Sequence, residues 1–214
     1  FMIVPRANFN VDGNGNRDYV NTVSPFIDQN QTYGSHPGMT VFLREYDNAG
    51  HATGRLVSGN DGGMATWADV KANALKMGIA LTDQDVLDLP EVQLNADGTY
   101  AGSPGNASLT GNRIGHAFLD DIAHGATPAS GLTPDQGNEA GNVHSADTYD
   151  DELLDAHYIG GDGRANENFG LTAVHSVFHS EHNRILSEIK QLVQDRLTAD
   201  PTFNGGQDLT GEQY

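Results

Sequence analysis

Between Gly161 and Arg184 the chain reads Gly-Asp-Gly-Arg-Ala-Asn-Glu-Asn-Phe-Gly-Leu-Thr-Ala-Val-His-Ser-Val-Phe-His-Ser-Glu-His-Asn-Arg. Arg164 and Glu167 stand in a glycine-punctuated loop, and His175, His179 and His182 follow on a helical pattern. A fixed guanidinium stabilises negative charge as it develops, without changing its own protonation state. Three histidines at i, i+4 and i+7 project within about 60° of one another on a helix. That face suits either a metal site or a set of buried imidazoles. The zinc-protease spacing His-Glu-x-x-His is not present, because Glu181 directly precedes His182. His175 and His182 fall at the centre of an apolar stripe and read as core histidines. His179 lies at its edge and reads as an edge or partner contact. On spacing alone, Arg164 reads first as half of a loop-holding pair with Asp162 or Glu167. Glu181 and Arg184, three apart, can pair on the helix surface.

The element that must position these groups is the clearest in the chain. Apolar residues at 171, 174, 178, 185, 186, 189, 192, 193 and 197 form one broad stripe, predicting a packed helix from Leu171 to about Leu197. Asn166 or Asn168 is placed to cap its start. Upstream, His36 to Tyr46 reads as a helix with Met39, Phe42 and Leu43 on one face. Val20, Val23, Phe26 and Ile27 are further core candidates, around a helix-breaking Pro25. Thr66 is an N-cap for a helix through Met77, closed by Gly78. Thr82 to Leu87 reads as a helical turn, Asn112 to His124 as a helix, and Tyr149 to Tyr158 as a short helix. Residues 7–18, 47–63, 90–111 and 125–148 read as loops, and the tail after Pro201 as frayed or extended. Asp12 to Asp18 imitates an EF-hand start, but Arg17 stands where glycine is needed. Strand signals are scarce, so the expected fold class is all-α, mainly helical with long irregular loops.

Composition bounds the partners. The apolar fraction is 37%, with 26 glycines, against about 45–50% apolar in ordinary domains. The 29 acidic and 11 basic residues give a net charge of −18. This balance argues against nucleic acid and anionic membrane surfaces, and favours solubility and cation binding. There is no cysteine, which excludes disulfides and thiolate metal sites. No apolar run reaches the roughly 18 residues of a membrane span. The start, Phe-Met-Ile-Val-Pro-Arg, lacks the basic region of a signal peptide. A chain opening on Phe1 is expected to be an internal piece of something larger.

Gly161, Asp162, Arg164, Glu167, Leu171, His175, Glu181, His182, Asn183 and Arg184 match ten positions at fixed spacing. In this they resemble the animal-type haem peroxidases of the peroxidase–cyclooxygenase superfamily. The resemblance implies a haem b cofactor, hydrogen peroxide as one substrate and a small electron donor as the other. It makes Arg164 the distal arginine, the catalytic residue here. Glu167 matches the glutamate that some members ester-link to a haem methyl, so Arg164 and Glu167 are the implied haem-binding residues. His175, His182, Asn183 and Arg184 match structural positions, and His179 matches none. Arginine suits this chemistry: when the peroxide O–O bond breaks heterolytically, a guanidinium stabilises the leaving oxygen.

A second segment, Ser24-Pro25-Phe26-Ile27-Asp28-Gln29-Asn30 with Tyr33-Gly34-Ser35 and Leu43-Arg44, resembles the family's calcium loop. The metal ligands implied are Ser24, Asp28 and Asn30 through side-chain oxygens and Phe26 through its carbonyl. Calcium takes about six to eight oxygens, so this set is incomplete alone. The family's distal histidine precedes this loop and its proximal histidine follows the long helix, so both are expected outside residues 1–214. The stretch around Ala117 to Gly125 resembles an insert of secreted bacterial members. The expected organisation is a calcium-loop segment (1–45), a bacterial-type insert (46–148) and the arginine loop with its long helix (149–200), all within one peroxidase domain. The 214 residues alone are expected to be inactive. Two other classes stay open: a metalloenzyme using the three histidines, and a non-catalytic calcium-binding module of a secreted protein.

Overall fold

The computed structural model describes residues 10–11, 13–15, 17–18, 29–102, 112–119, 125–141 and 145–209. The chain is mainly helical with little strand. The elements, in order, are β1 (Asn10–Val11), β2 (Arg17–Asp18), α1 (Asn30–Tyr33), α2 (Pro37–Leu43), β3 (Arg44–Tyr46) and β4 (Ala52–Leu56). There follow α3 (Trp67–Lys76), β5 (Thr133–Pro134), β6 (Thr148–Tyr149), α4 (Asp151–Ala156) and α5 (Phe169–Ala199). Three 3₁₀ turns, Asp83–Val86, Gly163–Asn166 and Phe203–Gly206, sit between or after them.

Pro37 opens α2 with a preset φ, and His36 Nδ1 accepts from Gly38 N at 3.1 Å to cap it. Met39, Phe42 and Leu43 are buried, as their spacing predicts. The helix stops three residues earlier than expected, because Arg44 turns to extended backbone and β3 pairs antiparallel with β4. β4 corrects the reading of 47–63 as all loop. Asp47 builds the connecting turn, its Oδ1 accepting from Ala49 N at 2.8 Å and His51 N at 3.0 Å. Thr66 and Asp69 form a reciprocal capping box at the start of α3.

The core gathers α2, α3, the 3₁₀ turn at Asp83–Val86 and residues 118–119. Trp67 is fully buried and meets Phe118 edge-on, with ring centroids 6.3 Å apart. Asp83 ties the far side together. It accepts from Trp67 Nε1 at 3.3 Å, Lys71 Nζ at 2.8 Å and Tyr149 Oη at 3.0 Å. Lys71 also pairs with Asp155 of α4 at 2.6 Å.

Residues 112–119 are not helical, against expectation. They lie extended along 86–91: Ile114 N donates to Leu89 O and Phe118 N to Val86 O, while Gly115 takes a positive φ of 72°. Phe118 and Leu119 are nevertheless buried. The tail also departs from expectation, folding back as a 3₁₀ turn that sets Phe203 under the Arg196 guanidinium at 5.8 Å. Val20, Val23, Phe26 and Ile27 lie outside the described residues.

The 31-residue α5 spans the predicted range with two residues more at each end. Its orientation corrects the expectation. The buried line is His175, His179, Asn183 and Leu186. Most of the apolar stripe faces outward: Val174 is 50% exposed, Phe178 38%, Ile185 42%, Ile189 40% and Leu192 66%. A polar seam binds α5 to β4 and the residue pair after it. Asn183 Nδ2 donates to Leu56 O at 2.9 Å, and Leu56 N donates to Asn183 Oδ1 at 2.8 Å. Lys190 Nζ donates to Thr53 O at 2.7 Å, and Arg55 Nη1 donates to Ser187 Oγ at 3.1 Å. Among the described residues no helix is long and apolar enough to cross a membrane.

Candidate functional site

The loop that carries Arg164 begins by threading against α1. Gly161 N donates to Gln31 O at 2.7 Å, and Ser35 N donates to Gly161 O at 2.8 Å. A Cβ on Gly161 would stand 2.1 Å from Gly34 N and 2.6 Å from Asn30 O, so only glycine permits this approach. Asp162 follows, 8% exposed, and caps the 3₁₀ turn by accepting from Arg164 N at 3.0 Å. Its carboxylate also takes the Arg164 side chain as a fork, Nε to Oδ1 at 2.7 Å and Nη2 to Oδ2 at 2.9 Å. Of the two pairings the spacing allowed, the guanidinium takes Asp162 in both bonds of the fork. The hydrogen bond from Arg164 holds the Asp162 carboxyl down at about 2, with help from the Arg164 backbone N–H and the Ser35 side chain.

Glu167 closes the turn, exposed, its N–H donating to Arg164 O at 3.1 Å. Asn168 caps α5 through Gly170 N at 2.7 Å, so the second of the two candidate asparagines takes that role. Arg164 and Glu167 thus stand on one short turn at the head of α5. The Arg164 side chain is 56% exposed. It borders a cleft of about 320 Å³ with Ser35, His116 and Asp162. On the other side of the loop, Asn166 and Phe169 border an open groove of about 530 Å³ with Met64, Leu153 and Tyr158. Sequence reading missed Ser35 and His116 as neighbours of Arg164, since 129 and 48 positions separate them in the chain and no local pattern links them. The His116 ring also lies 5.0 Å from that of His36.

The three helix histidines go to three different segments. His175 bonds Thr32 Oγ1 at 2.7 Å through Nδ1 and Gln31 Oε1 at 2.9 Å through Nε2, which ties α5 to α1. Burial lowers its pKa. His182 Nε2 reaches Gly54 O at 3.1 Å. His179 Nε2 lies 3.4 Å from Ser58 Oγ. It is 5% exposed, not the edge residue expected, and burial pushes its pKa down to about 4, with His182 and Arg55 adding to the effect. Among the described residues the side chains that bring three potential ligand atoms within 4.8 Å are Asp135, Asp151 and Glu152, and not the histidines. On the helix surface Arg184 pairs with Glu181, Nε to Oε2 at 2.7 Å, as its spacing predicts.

These titrations set an acid limit. His179 is neutral in the fold and protonates near 6.5 when unfolded, so the unfolded chain binds more protons as pH falls below 6.5. Stability is full above that pH and falls until about pH 4, by up to about 3 kcal/mol. Asp162 adds a second loss below its ordinary 3.8, continuing towards pH 2. Melting temperature measured from pH 7.5 to 4 is expected to drop steeply below 6.5, and His179→Gln to flatten that slope. An unchanged slope in the variant would contradict the assignment.

Of the predicted calcium ligands, Ser24, Phe26 and Asp28 lie outside the described residues, and Asn30 is the half-buried first residue of α1.

A family-model match falls on this same region. The family model described as animal haem peroxidase matches residues 126–208. Peroxidasin from Drosophila melanogaster is 35% identical over 63 residues, 29% of this chain. The match covers 4% of the length of that relative. No solved structure matches the chain. Over the stretch that holds α4, the Arg164–Glu167 turn and all of α5, the chain is similar to the animal haem peroxidases.

Proposed function

We propose that this chain forms one wall of the haem pocket of a peroxidase that reduces hydrogen peroxide and oxidises a small donor such as a phenol, a halide or Mn(II). The observation that carries the reading is the Asp162-held Arg164, exposed at a cleft mouth inside the family-matched stretch. Haem supplies the redox chemistry when bound. The residues present suit one side of it: an exposed guanidinium at a cleft and an exposed carboxylate one turn away. Arg164 and Glu167 would hold the haem on this side, and Arg164 would stabilise the leaving oxygen of peroxide. The three imidazoles of α5 serve the fold, bonded to Thr32 and Gln31, Ser58 and Gly54.

The outward apolar face of α5 supports a wider domain than these residues, because five large apolar side chains on one helix face want cover. In the same reading calcium is held by Ser24, Asp28, Asn30 and the Phe26 carbonyl, and the protein is a secreted bacterial one. Residues 1–45, 46–148 and 149–200 serve as the calcium segment, insert and arginine segment of a single domain.

Haemin titrated into the 214-residue chain is expected to bind weakly, without a sharp stoichiometric Soret band or peroxide turnover. A sharp band with turnover would contradict the single-wall reading. A melting temperature raised by calcium and untouched by haemin, together with a haem-free native protein, would favour a calcium module instead.

A further inference from the structure

We propose that Asp162 is the positioning residue for Arg164, a clamp that fixes where the guanidinium points. The inference rests on the reading of Arg164 as the peroxide-side arginine. Three observations carry it. The bond geometry is a two-point fork, Nε to Oδ1 at 2.7 Å and Nη2 to Oδ2 at 2.9 Å, which fixes the plane of the guanidinium as well as its distance. The carboxylate is itself buried and bonded to the main chain. It is 8% exposed, it caps the turn through Arg164 N, and its neighbour Gly161 is pressed between Gly34 and Asn30. The arginine it holds is by contrast 56% exposed along its side chain, so packing alone does not orient it. A long exposed side chain otherwise samples many rotamers, and ordering it costs roughly 2 kcal/mol. A buried carboxylate anchored to the main chain removes that freedom before substrate arrives.

The clamp needs an anionic Asp162. The depressed titration of that group keeps it anionic through the whole working range.

The test uses the haem-loaded protein of which these residues form one wall, with Asp162→Asn, Asp162→Glu, Ser35→Ala and Arg164→Lys. Two readouts are taken: kcat and donor KM for peroxide reduction, and the water-exchange rate of the Arg164 Nε–H by nitrogen-resolved NMR. Asp162→Asn is expected to speed that exchange at least tenfold and to lower kcat by 10- to 100-fold at unchanged donor KM. Asp162→Glu is expected to restore part of both. Ser35→Ala, a milder change at the same carboxylate, shifts both the same way by less, and decides the matter if Asp162→Asn does not fold. Wild-type exchange and wild-type kcat in Asp162→Asn, or in Ser35→Ala if that is the folded variant, would overturn the clamp. If Arg164→Lys leaves turnover unchanged, the haem reading fails by itself, and the exchange rate still decides whether Asp162 orients Arg164.

Discussion

Arg164→Ala in the haem-loaded protein of which these residues form one wall is expected to lower peroxide reduction by about 10²–10³-fold, with haem content unchanged. That is the usual loss when one fixed donor to a developing oxyanion is removed, roughly 3–4 kcal/mol of transition-state stabilisation. Lysine is not a substitute. Its compact ammonium cannot reproduce the fork with both Asp162 oxygens, so Arg164→Lys falls on the same side as alanine. The matched control is Arg184→Ala. Arg184 lies on the same helix system, pairs with Glu181 and Glu188 at the surface, and stands outside both the cleft and the groove beside the turn. Turnover in that variant is expected to stay at the wild-type level. Steady-state rates at saturating peroxide, normalised to haem, separate the two. Equal losses in both variants would mean that charge in general, and not this guanidinium, matters.

Asn183→Ala is expected to carry the largest stability loss of any single truncation on α5. The Asn183 side chain is 4% exposed and makes three bonds: to Leu56 O, from Leu56 N, and to Ser58 Oγ at 2.9 Å. Truncation takes from the Leu56 N–H its side-chain acceptor and leaves Leu56 O the longer bond from Ser58 Oγ at 3.3 Å. An orphaned buried donor costs about 1–3 kcal/mol, so with the bonds lost at Leu56 O and Ser58 the sum is roughly 2–4 kcal/mol. Asn183→Asp does not rescue it, because a carboxylate accepts from Leu56 N but has no N–H for Leu56 O. Urea unfolding reads this directly as a lower midpoint at unchanged slope. A change under about 1 kcal/mol would show that β4 is not held through this side chain.

The helices with local signals were legible in the sequence. Thr66 announces the start of α3, Met39 with Phe42 and Leu43 announces the buried side of α2, and the long period announces α5. The exposed face of α5 was not legible. Periodicity reports where apolar residues cluster, and here that cluster faces outward while His175, His179 and Asn183 face in. Those three are buried because β4, the residues after it and α1 offer them partners more than a hundred positions away, which no window on the helix detects. The extended run at 112–119 fails for the same reason. Ile114, Phe118 and Leu119 carry a helical spacing, yet their backbone pairs with 86–91. At the candidate site, Arg164 and Glu167 could be singled out because both sit on one short stretch. The cleft around Arg164 could not, since Ser35 and His116 reach it only through the fold.

If Arg164 faces the peroxide side of a haem, the infrared stretch of carbon monoxide bound to the ferrous haem senses it. A guanidinium beside the bound ligand shifts that stretch through its charge and its N–H donors. The shift is therefore expected to change in Arg164→Leu and to stay at the wild-type value in Arg184→Leu. An unchanged stretch in Arg164→Leu would place the guanidinium away from the haem and contradict the account.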